Sequence, residues 1–151
     1  MRLAYLRARA AAGWRRQGGE GVTAPEVPSV TRVIDQARVD AYAQHGKDPN
    51  PIHRETPEAY AGPFGKPVAH GMLVLALASE AMAGAFGRAW AENGTLKIRW
   101  RSPAFPPIRV TARCTPKSDL DGLFTYDVVC EDEAGEPLLT GTATVRPSAA
   151  S

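Results

Sequence analysis

Residues 42–53 read Tyr-Ala-Gln-His-Gly-Lys-Asp-Pro-Asn-Pro-Ile-His, and residues 64–73 read Phe-Gly-Lys-Pro-Val-Ala-His-Gly-Met-Leu. In the first segment Asp48 and His53 stand five positions apart, with two prolines between them. Each proline lacks a backbone donor, has a fixed φ, and restricts the residue before it to extended conformations. The sequence therefore predicts a stiff, non-helical loop that presents a carboxylate and an imidazole together, as general acid–base chemistry requires.

The second segment ends in His70-Gly71 and leads into the most apolar part of the chain, residues 72–86. Only Ser79 and Glu80 are polar there, so the pattern predicts a helix that is buried on nearly all sides. Backbone N–H groups at a helix N-terminus have no intrahelical acceptor and attract developing negative charge. We therefore expect an oxyanion site at Gly71, where this helix begins.

Short runs of alternating apolar and polar residues fill most of the remaining chain and are typical of antiparallel strands. We predict strands at residues 27–34, 95–100, 108–115, 123–131 and 138–145, with a tight hairpin turn at 133–136. A short helix is predicted over residues 36–44 with Asp35 as its N-cap, and another begins at Thr56-Pro57 and ends at Gly62. One apolar helix with an antiparallel sheet is an α+β fold.

The composition is that of an ordinary globular protein. The chain of 151 residues suits one domain, and its 44% hydrophobic and 23% charged residues are unremarkable. No apolar run approaches the ~18–20 residues that cross a bilayer, so we expect no membrane span and a cytoplasmic location. Beyond the first 20 residues the chain is mildly acidic, which gives no reason to expect nucleic-acid binding.

The N-terminal part differs from the rest in charge. Residues 1–20 contain five arginines and one glutamate, a net charge of +4, so the remainder of this +2 chain carries −2. A Gly-rich segment follows at residues 17–21. This composition is typical of a transit peptide, and also of a basic amphipathic arm that lies on the domain or on a partner. We predict a basic arm and linker at residues 1–21 and a single domain at residues 22–151.

Two motifs carry a resemblance to a known family: Asp48-x-Asn50-Pro51-Ile52-His53, preceded by Tyr42-Ala43, and Gly65-x-Pro67-Val68-Ala69-His70-Gly71-Met72. Together they resemble the hydratase motif of MaoC-like dehydratases and (R)-specific enoyl-CoA hydratases, which are hot-dog-fold proteins. The resemblance extends more weakly over residues 27–145, and it implies a single MaoC-like hot-dog domain, an antiparallel sheet wrapped around a long central helix. Many members have serine at the position of Gly46. This position is not catalytic in the family.

The resemblance implies a role for each candidate site residue. Asp48 and His53 would hold a water and share its activation and the protonation of the α-carbon. Gly71 would bind the thioester carbonyl through its backbone N–H, and Asn50 would orient the loop. Ser79 matches a serine that lines the active site in the enoyl-CoA hydratase members. The alternative for Ser79 is a buried serine that bonds back to the preceding turn.

The spacing of the three histidines and the two cysteines gives no reason to expect a cofactor. His45, His53 and His70 lack the spacing of a zinc site, and acid–base hydration needs no metal. The resemblance implies a structural role for His70, and we expect His45 at the surface near a helix end. Cys114 and Cys130 fall in predicted strands, where buried structural thiols are expected.

The activity that the resemblance implies is that of a hydro-lyase of fatty-acid or related acyl metabolism. It would reversibly hydrate trans-2-enoyl thioesters to (R)-3-hydroxyacyl thioesters, with acyl-CoA or acyl-ACP as substrate. A 3-hydroxyacyl-ACP dehydratase is a close variant, and a non-catalytic acyl-binding hot-dog subunit is the rival. Such subunits are expected to lack the Asp-x-Asn-Pro-x-His loop, as are hot-dog thioesterases. The family usually forms dimers, so a homodimer or a dimer of dimers is expected.

Overall fold

The computed structural model describes residues 24–147, which form a five-stranded antiparallel sheet with helices inserted between its first two strands. The strands are β1 (Val27–Ile34), β2 (Thr95–Trp100), β3 (Ile108–Leu120), β4 (Leu123–Glu131) and β5 (Pro137–Val145). The helices are α1 (Gln36–His45), α2 (Pro57–Ala61), α3 (Gly71–Phe86) and α4 (Arg88–Asn93), and a 3-10 turn spans Pro51–His53. The spatial order of the strands is β1-β3-β4-β5-β2. The predicted α+β class is confirmed.

Helix α3 forms the centre of the core. Its buried residues recur at the spacing of one helical face: Val74, Leu77, Ala78, Ala81 and Met82. They pack against the inner face of the sheet, whose buried residues include Val110, Ala112, Phe124, Tyr126, Cys130, Leu139, Ala143 and Val145. Several of the helical residues are alanines, so the sheet approaches the helix closely. This contact fixes the start of α3 relative to the loops that precede it.

The prediction that α3 is buried on nearly all sides is wrong in part. Met72, Ala76 and Ala83 are exposed, and Met72 retains 51% of its surface. The helix packs mainly against β1 and β3, which lie at one side of the sheet. At the other side Leu96 and Ile98 of β2 are only half-buried. Within residues 24–147 the sheet therefore does not enclose the helix, and an apolar surface of α3 is left uncovered.

Two elements depart from the sequence prediction. Strand β3 continues five residues beyond the predicted end at residue 115, through an irregularity in register between Pro116 and Ser118. Helix α4 was not predicted. It follows directly on α3, because Gly87 takes a positive φ of 50° and turns the chain, and it buries Trp90.

Both cysteines are buried in the sheet, as predicted. Burial raises the pKa of the Cys114 thiol to about 11 and that of the Cys130 thiol to about 12. A thiol must lose its proton to act as a nucleophile or a metal ligand, so both remain inert at neutral pH. Separately, no helix within residues 24–147 combines the length and apolar character needed to cross a membrane.

The predicted arm and linker lie outside the described residues, but the start of the domain is well defined. Ala24 is buried, and the hydroxyl of Tyr126 donates to the Pro25 carbonyl at 2.8 Å. Burial raises the pKa of Tyr126 to about 12, so this hydroxyl remains a donor. The segment from residue 24 onward is therefore part of the fold.

Deleting residues 1–20 is expected to preserve the thermal midpoint of unfolding and the turnover of a short enoyl thioester. The shortened chain retains Ala24, Pro25 and every candidate site residue. Deleting residues 1–26 should instead destabilise the domain by ~1–3 kcal/mol, because the buried hydroxyl of Tyr126 loses its acceptor. Calorimetry and a hydration assay on both chains make the comparison. A folded 1–20 deletion without activity would contradict the prediction and assign the arm to the site or to an interface.

Candidate active site

The chain reverses direction after α1, and this reversal positions Asp48. The Asp35 carboxylate caps the start of this helix by accepting from the Arg38 N–H at 2.9 Å, as predicted. At its end Lys47 takes a positive φ of 54°, and the Asp48 N–H donates to the Ala43 carbonyl at 3.0 Å. This reversal of the chain places the carboxylate at the start of the proline loop.

Asn50 holds the loop in shape through both its side chain and its backbone. Its Oδ1 accepts from the Ile52 N–H at 3.2 Å and caps the 3-10 turn, which the prediction of a non-helical loop did not anticipate. Its own N–H donates to Oδ1 of Asp48 at 3.3 Å. Asn50 therefore orients the loop and the carboxylate, and its side-chain oxygen is occupied by this cap.

His53 is buried at the end of the 3-10 turn and held by two contacts. Its carbonyl accepts from Gln36 Nε2 at 2.8 Å, and its Nδ1 lies 2.7 Å from the Val68 carbonyl oxygen. Because a carbonyl only accepts, Nδ1 carries a proton, and in the neutral form of the ring Nε2 is a bare acceptor. Nε2 lies 4.0 Å from Oδ2 of Asp48. Two acceptors thus face each other across a gap too long for a direct hydrogen bond.

His70 also contacts Asp48 and His53 in the structure. The sequence did not indicate these contacts. The ring of His70 stacks on that of His53 with 3.6 Å between centroids, and its Nε2 lies 3.7 Å from Oδ2 of Asp48. His70 is 2% exposed. The pKa of His70 is lowered because burial disfavours the charged ring and His53 repels it, although the backbone carbonyl of Asp48 and then its charge oppose both effects. His70 is therefore neutral at pH 7.

The ligand atoms of Asp48, His53 and His70 lie within 4.8 Å of one another, close enough to raise the question of a metal ion. The planes of the two imidazoles differ by only 26°. A ring nitrogen binds a metal along its lone pair, which lies in the ring plane, so nearly parallel stacked rings cannot both point at one ion. The bond from Nδ1 to Val68 also fixes the ring of His53. The arrangement does not fit a metal site.

A cleft of about 530 Å³ opens beside His53 and the start of α3. Its lining is largely apolar and is formed by Ile52, His53, Phe64, Val68, Ala69, Gly71, Met72, Val74, Trp100, Arg101, Ser102, Pro103, Ala104 and Leu138. Three large apolar side chains that line it, Phe64, Met72 and Trp100, are 42–51% exposed. The cleft is thus largely apolar with one imidazole in its wall, and it suits an apolar ligand.

Gly71 begins α3 in the wall of the cleft. Within residues 24–147 no backbone or side-chain acceptor lies within hydrogen-bond distance of its N–H. A Cβ here would lie 2.8 Å from Cη2 of Trp100, so a side chain at this position requires the half-exposed ring of Trp100 to move. Gly71 thus has a backbone N–H without an acceptor within residues 24–147 and lies in the cleft wall next to the Trp100 ring.

Ser79 lies apart from these residues. It is eight residues beyond Gly71, about 12 Å along the helix axis. Its Oγ accepts from Nε1 of Trp90 at 2.9 Å, and it is not among the residues that line the cleft. The structure thus brings together Asp48, Asn50 and His53 beside the cleft that Gly71 lines, while Ser79 joins α3 to α4.

Comparisons with known proteins show the family and the fold. Residues 20–131 match the family model described as MaoC like domain, and the chain belongs to this family. It is similar to the (R)-hydratase from A. caviae involved in PHA biosynthesis, with 21% identity, a TM-score of 0.69, and 85% of this chain and 99% of that chain covered. The R-hydratase PhaJ1 from Pseudomonas aeruginosa aligns with 20% identity and a TM-score of 0.70 over 85% and 83% of the two chains.

A third similar structure is the MaoC-like dehydratase from Rhodospirillum rubrum, with 18% identity, a TM-score of 0.63, and 83% and 92% of the two chains covered. The chain matches no curated protein sequence. At these identities the structural likeness concerns the fold, and it confirms the hot-dog fold that the resemblance implied. Family and fold together identify a MaoC-like hot-dog protein of the dehydratase family.

Proposed function

We propose that this protein reversibly hydrates trans-2-enoyl thioesters to (R)-3-hydroxyacyl thioesters, with Asp48 and His53 as the catalytic pair. The observation that carries the proposal is the pair of acceptors, Oδ2 of Asp48 and the bare Nε2 of His53, which face each other at 4.0 Å. A carboxylate and a neutral imidazole so placed need a donor of two protons between them. Water is that donor, and it is also the second substrate of hydration.

The proposed reaction uses this water directly. A water about 2.8 Å from each acceptor donates one hydrogen bond to Asp48 and one to His53, with its oxygen lone pairs free. When the oxygen attacks the β-carbon, the pair takes one proton from the water and returns one to the α-carbon. The thioester thus gains OH at one carbon and H at the other, and no cofactor is consumed. Dehydration follows the same steps in reverse.

Gly71 would stabilise the charge that forms during this step. As the bond to the β-carbon forms, negative charge develops on the thioester oxygen, which becomes enolate-like. A fixed N–H donor at a helix N-terminus binds that charge without reorganisation. The N–H of Gly71 has no acceptor within residues 24–147 and lies in the cleft wall that also contains His53. The apolar side chains Phe64, Met72 and Trp100 would enclose the acyl chain.

Two alternatives remain from the sequence. A 3-hydroxyacyl-ACP dehydratase would use the same residues in the opposite direction, and the carrier, CoA or ACP, distinguishes it. A non-catalytic acyl-binding subunit would need the cleft but not the paired acceptors beside it. The held geometry of Asp48 and His53, with hydrogen bonds from Asn50 and to Val68, favours an enzyme.

The deciding experiment follows the loss of enoyl absorbance across a series of acyl lengths on both CoA and ACP. We expect hydration of at least one series by the wild-type protein, and hydration at least ~100-fold slower by Asp48→Asn. The relative rates on the two carriers identify the substrate. An acyl thioester that binds without turnover on either carrier would refute hydration and support the non-catalytic subunit.

We also propose a homodimer. The outward surface of α3 exposes Met72, Ala76 and Ala83, and the sheet has open edges at β1 and β2. Exposed apolar surface and open strand edges are both features that proteins cover by association. A partner lying along α3 would cover this surface and extend the wall of the cleft at Met72.

Ala76→Glu is expected to shift the dimer toward monomer at micromolar concentration. The change places an unpaired charge in the proposed interface, where its desolvation is costly. Ala37→Glu is the matched control, since it adds the same charge at an exposed alanine of α1. Sedimentation velocity compares the two variants with the wild type. A monomeric wild type would contradict the dimer, and a fully dimeric Ala76→Glu protein would move the interface elsewhere.

A further inference from the structure

His70 is a buried polar side chain with no hydrogen-bond partner for either ring nitrogen within the described part of the chain. It occupies the N-cap position of α3, yet its side chain makes no capping bond. Buried polar groups in proteins nearly always have a partner, so such an exception calls for a specific role. The carbonyl of His70 accepts from the Leu73 N–H at 3.0 Å, so the backbone is held while the side chain is not.

The surroundings of the ring offer a partner on Asp48, whose backbone and carboxylate both act on the pKa of His70. The ring of His53 stacks against it at 3.6 Å, and the ring of Tyr42 lies at 4.7 Å between centroids. Neither contact satisfies a ring nitrogen. The carboxylate oxygen Oδ2 of Asp48 lies 3.7 Å from Nε2. A shift of about 1 Å brings it to hydrogen-bond distance.

From this contact we infer that His70 is a positioning residue, whose Nε2–H donates to Oδ2 of Asp48 and fixes the carboxylate for the water. The role rests on the proposed hydration, in which Asp48 is catalytic. Oδ1 of Asp48 already accepts from the Asn50 N–H at 3.3 Å. A bond at Oδ2 fixes the second oxygen, so the carboxylate plane can no longer rotate. Oδ2 retains lone pairs for the water shared with His53.

The stack on His53 supports the same assignment. Two imidazolium rings 3.6 Å apart would repel each other strongly, so at most one is charged. His70, which is the more deeply buried, remains neutral and carries a single ring proton. His53 has its Nδ1 proton bound to Val68 and its Nε2 free to accept from water. His70 thus provides a donor where His53 provides an acceptor, and Oδ2 of Asp48 lies next to both.

Nitrogen NMR tests the contact without any activity assay. The chain contains only three histidines, so long-range proton–nitrogen spectra of the imidazoles are simple to assign, with His70→Gln removing one set of signals. At pH 7 the wild-type protein should show His70 as the neutral Nε2–H tautomer. Asp48→Asn should shift the His70 nitrogens and leave those of His45 unchanged. An Nδ1–H tautomer, or no response to Asp48→Asn, would overturn the assignment.

Two substitutions then separate positioning from packing. His70→Leu removes the donor and is expected to lower kcat roughly 10–100-fold, the loss of one hydrogen bond to a charged group, with KM changed less than about 2-fold. His70→Gln places an amide N–H near the position of Nε2 and should recover most of that loss. Equal losses in the two variants, or wild-type turnover by His70→Leu, would refute the positioning role. A wild-type protein inert on every thioester would refute the proposed hydration, while the NMR result would still decide the contact of His70 with Asp48.

Discussion

Asp48→Asn and His53→Ala are each expected to lower kcat by at least ~100-fold, the lower end of the effect of a general acid–base group. Asparagine keeps the size of the side chain but replaces one of the two acceptor oxygens with an amide donor. Alanine removes Nε2, the acceptor on the other side of the proposed water. Because one water is shared by both groups, either loss breaks the same arrangement, and the double variant should be little worse than the single ones.

Matched controls separate this effect from general damage. Asp121→Asn makes the same chemical change in the turn between β3 and β4, and His45→Ala removes an exposed histidine at the end of α1. Both should hydrate at the wild-type rate. Circular dichroism and the thermal midpoint establish that each variant is folded. Turnover near wild type in a folded Asp48→Asn or His53→Ala protein would remove that residue from the mechanism.

The sequence predicted the loop around Asp48 because its determinants are local. The cap at Asp35, the end of α1 at Gly46, and the prolines on either side of Asn50 act through neighbouring residues only. Their effects do not depend on the rest of the fold. The same holds for α2, where Thr56 caps the helix and its Oγ accepts from the Ala59 N–H.

The length of β3 and the presence of α4, which were not predicted correctly, depend on contacts between distant residues. Strand β3 was predicted to end at residue 115, before Pro116. The pairing of β1 with β3 stops at Cys114, so within residues 24–147 the rest of β3 has no neighbour on that side, and an unpaired edge tolerates a proline. Helix α4 is only six residues long and gives no periodic signal. Trp90 stabilises it by packing into the core and donating to Ser79.

In the candidate site, too, the local features were predicted and the long-range contact was not. The sequence placed Asp48 and His53 on one loop, but it could not show that His70, which lies 17 residues beyond His53, stacks on the same ring. The stack arises because the Val68 N–H donates to the Ile52 carbonyl and the Ala69 N–H donates to the Ala104 carbonyl. These two bonds hold the segment before α3 between the 3-10 turn and the loop that joins β2 to β3. No spacing in the sequence reports such a contact.

Gly71→Pro is expected to lower kcat ~10²–10³-fold relative to Gly71→Ala, the effect of removing one oxyanion donor. Proline deletes the N–H, whereas alanine keeps it. The site accepts proline well, because proline is favoured at the first position of a helix and His70 before it has φ −58° and ψ 129°, which is compatible with a following proline. The N–H that is lost has no acceptor within residues 24–147, so the fold loses no hydrogen bond.

Gly71→Ala controls for shape. Both substitutions add a Cβ that would lie 2.8 Å from Cη2 of Trp100, and this half-exposed ring must move outward by a similar amount in each. The displacement of Trp100 is therefore common to the pair, and the difference in kcat reports the replacement of the N–H by the proline ring. Steady-state hydration of a short enoyl thioester by the two folded variants measures it. Equal rates would eliminate the oxyanion site at Gly71, and the negative charge on the thioester would then have to be stabilised by another donor.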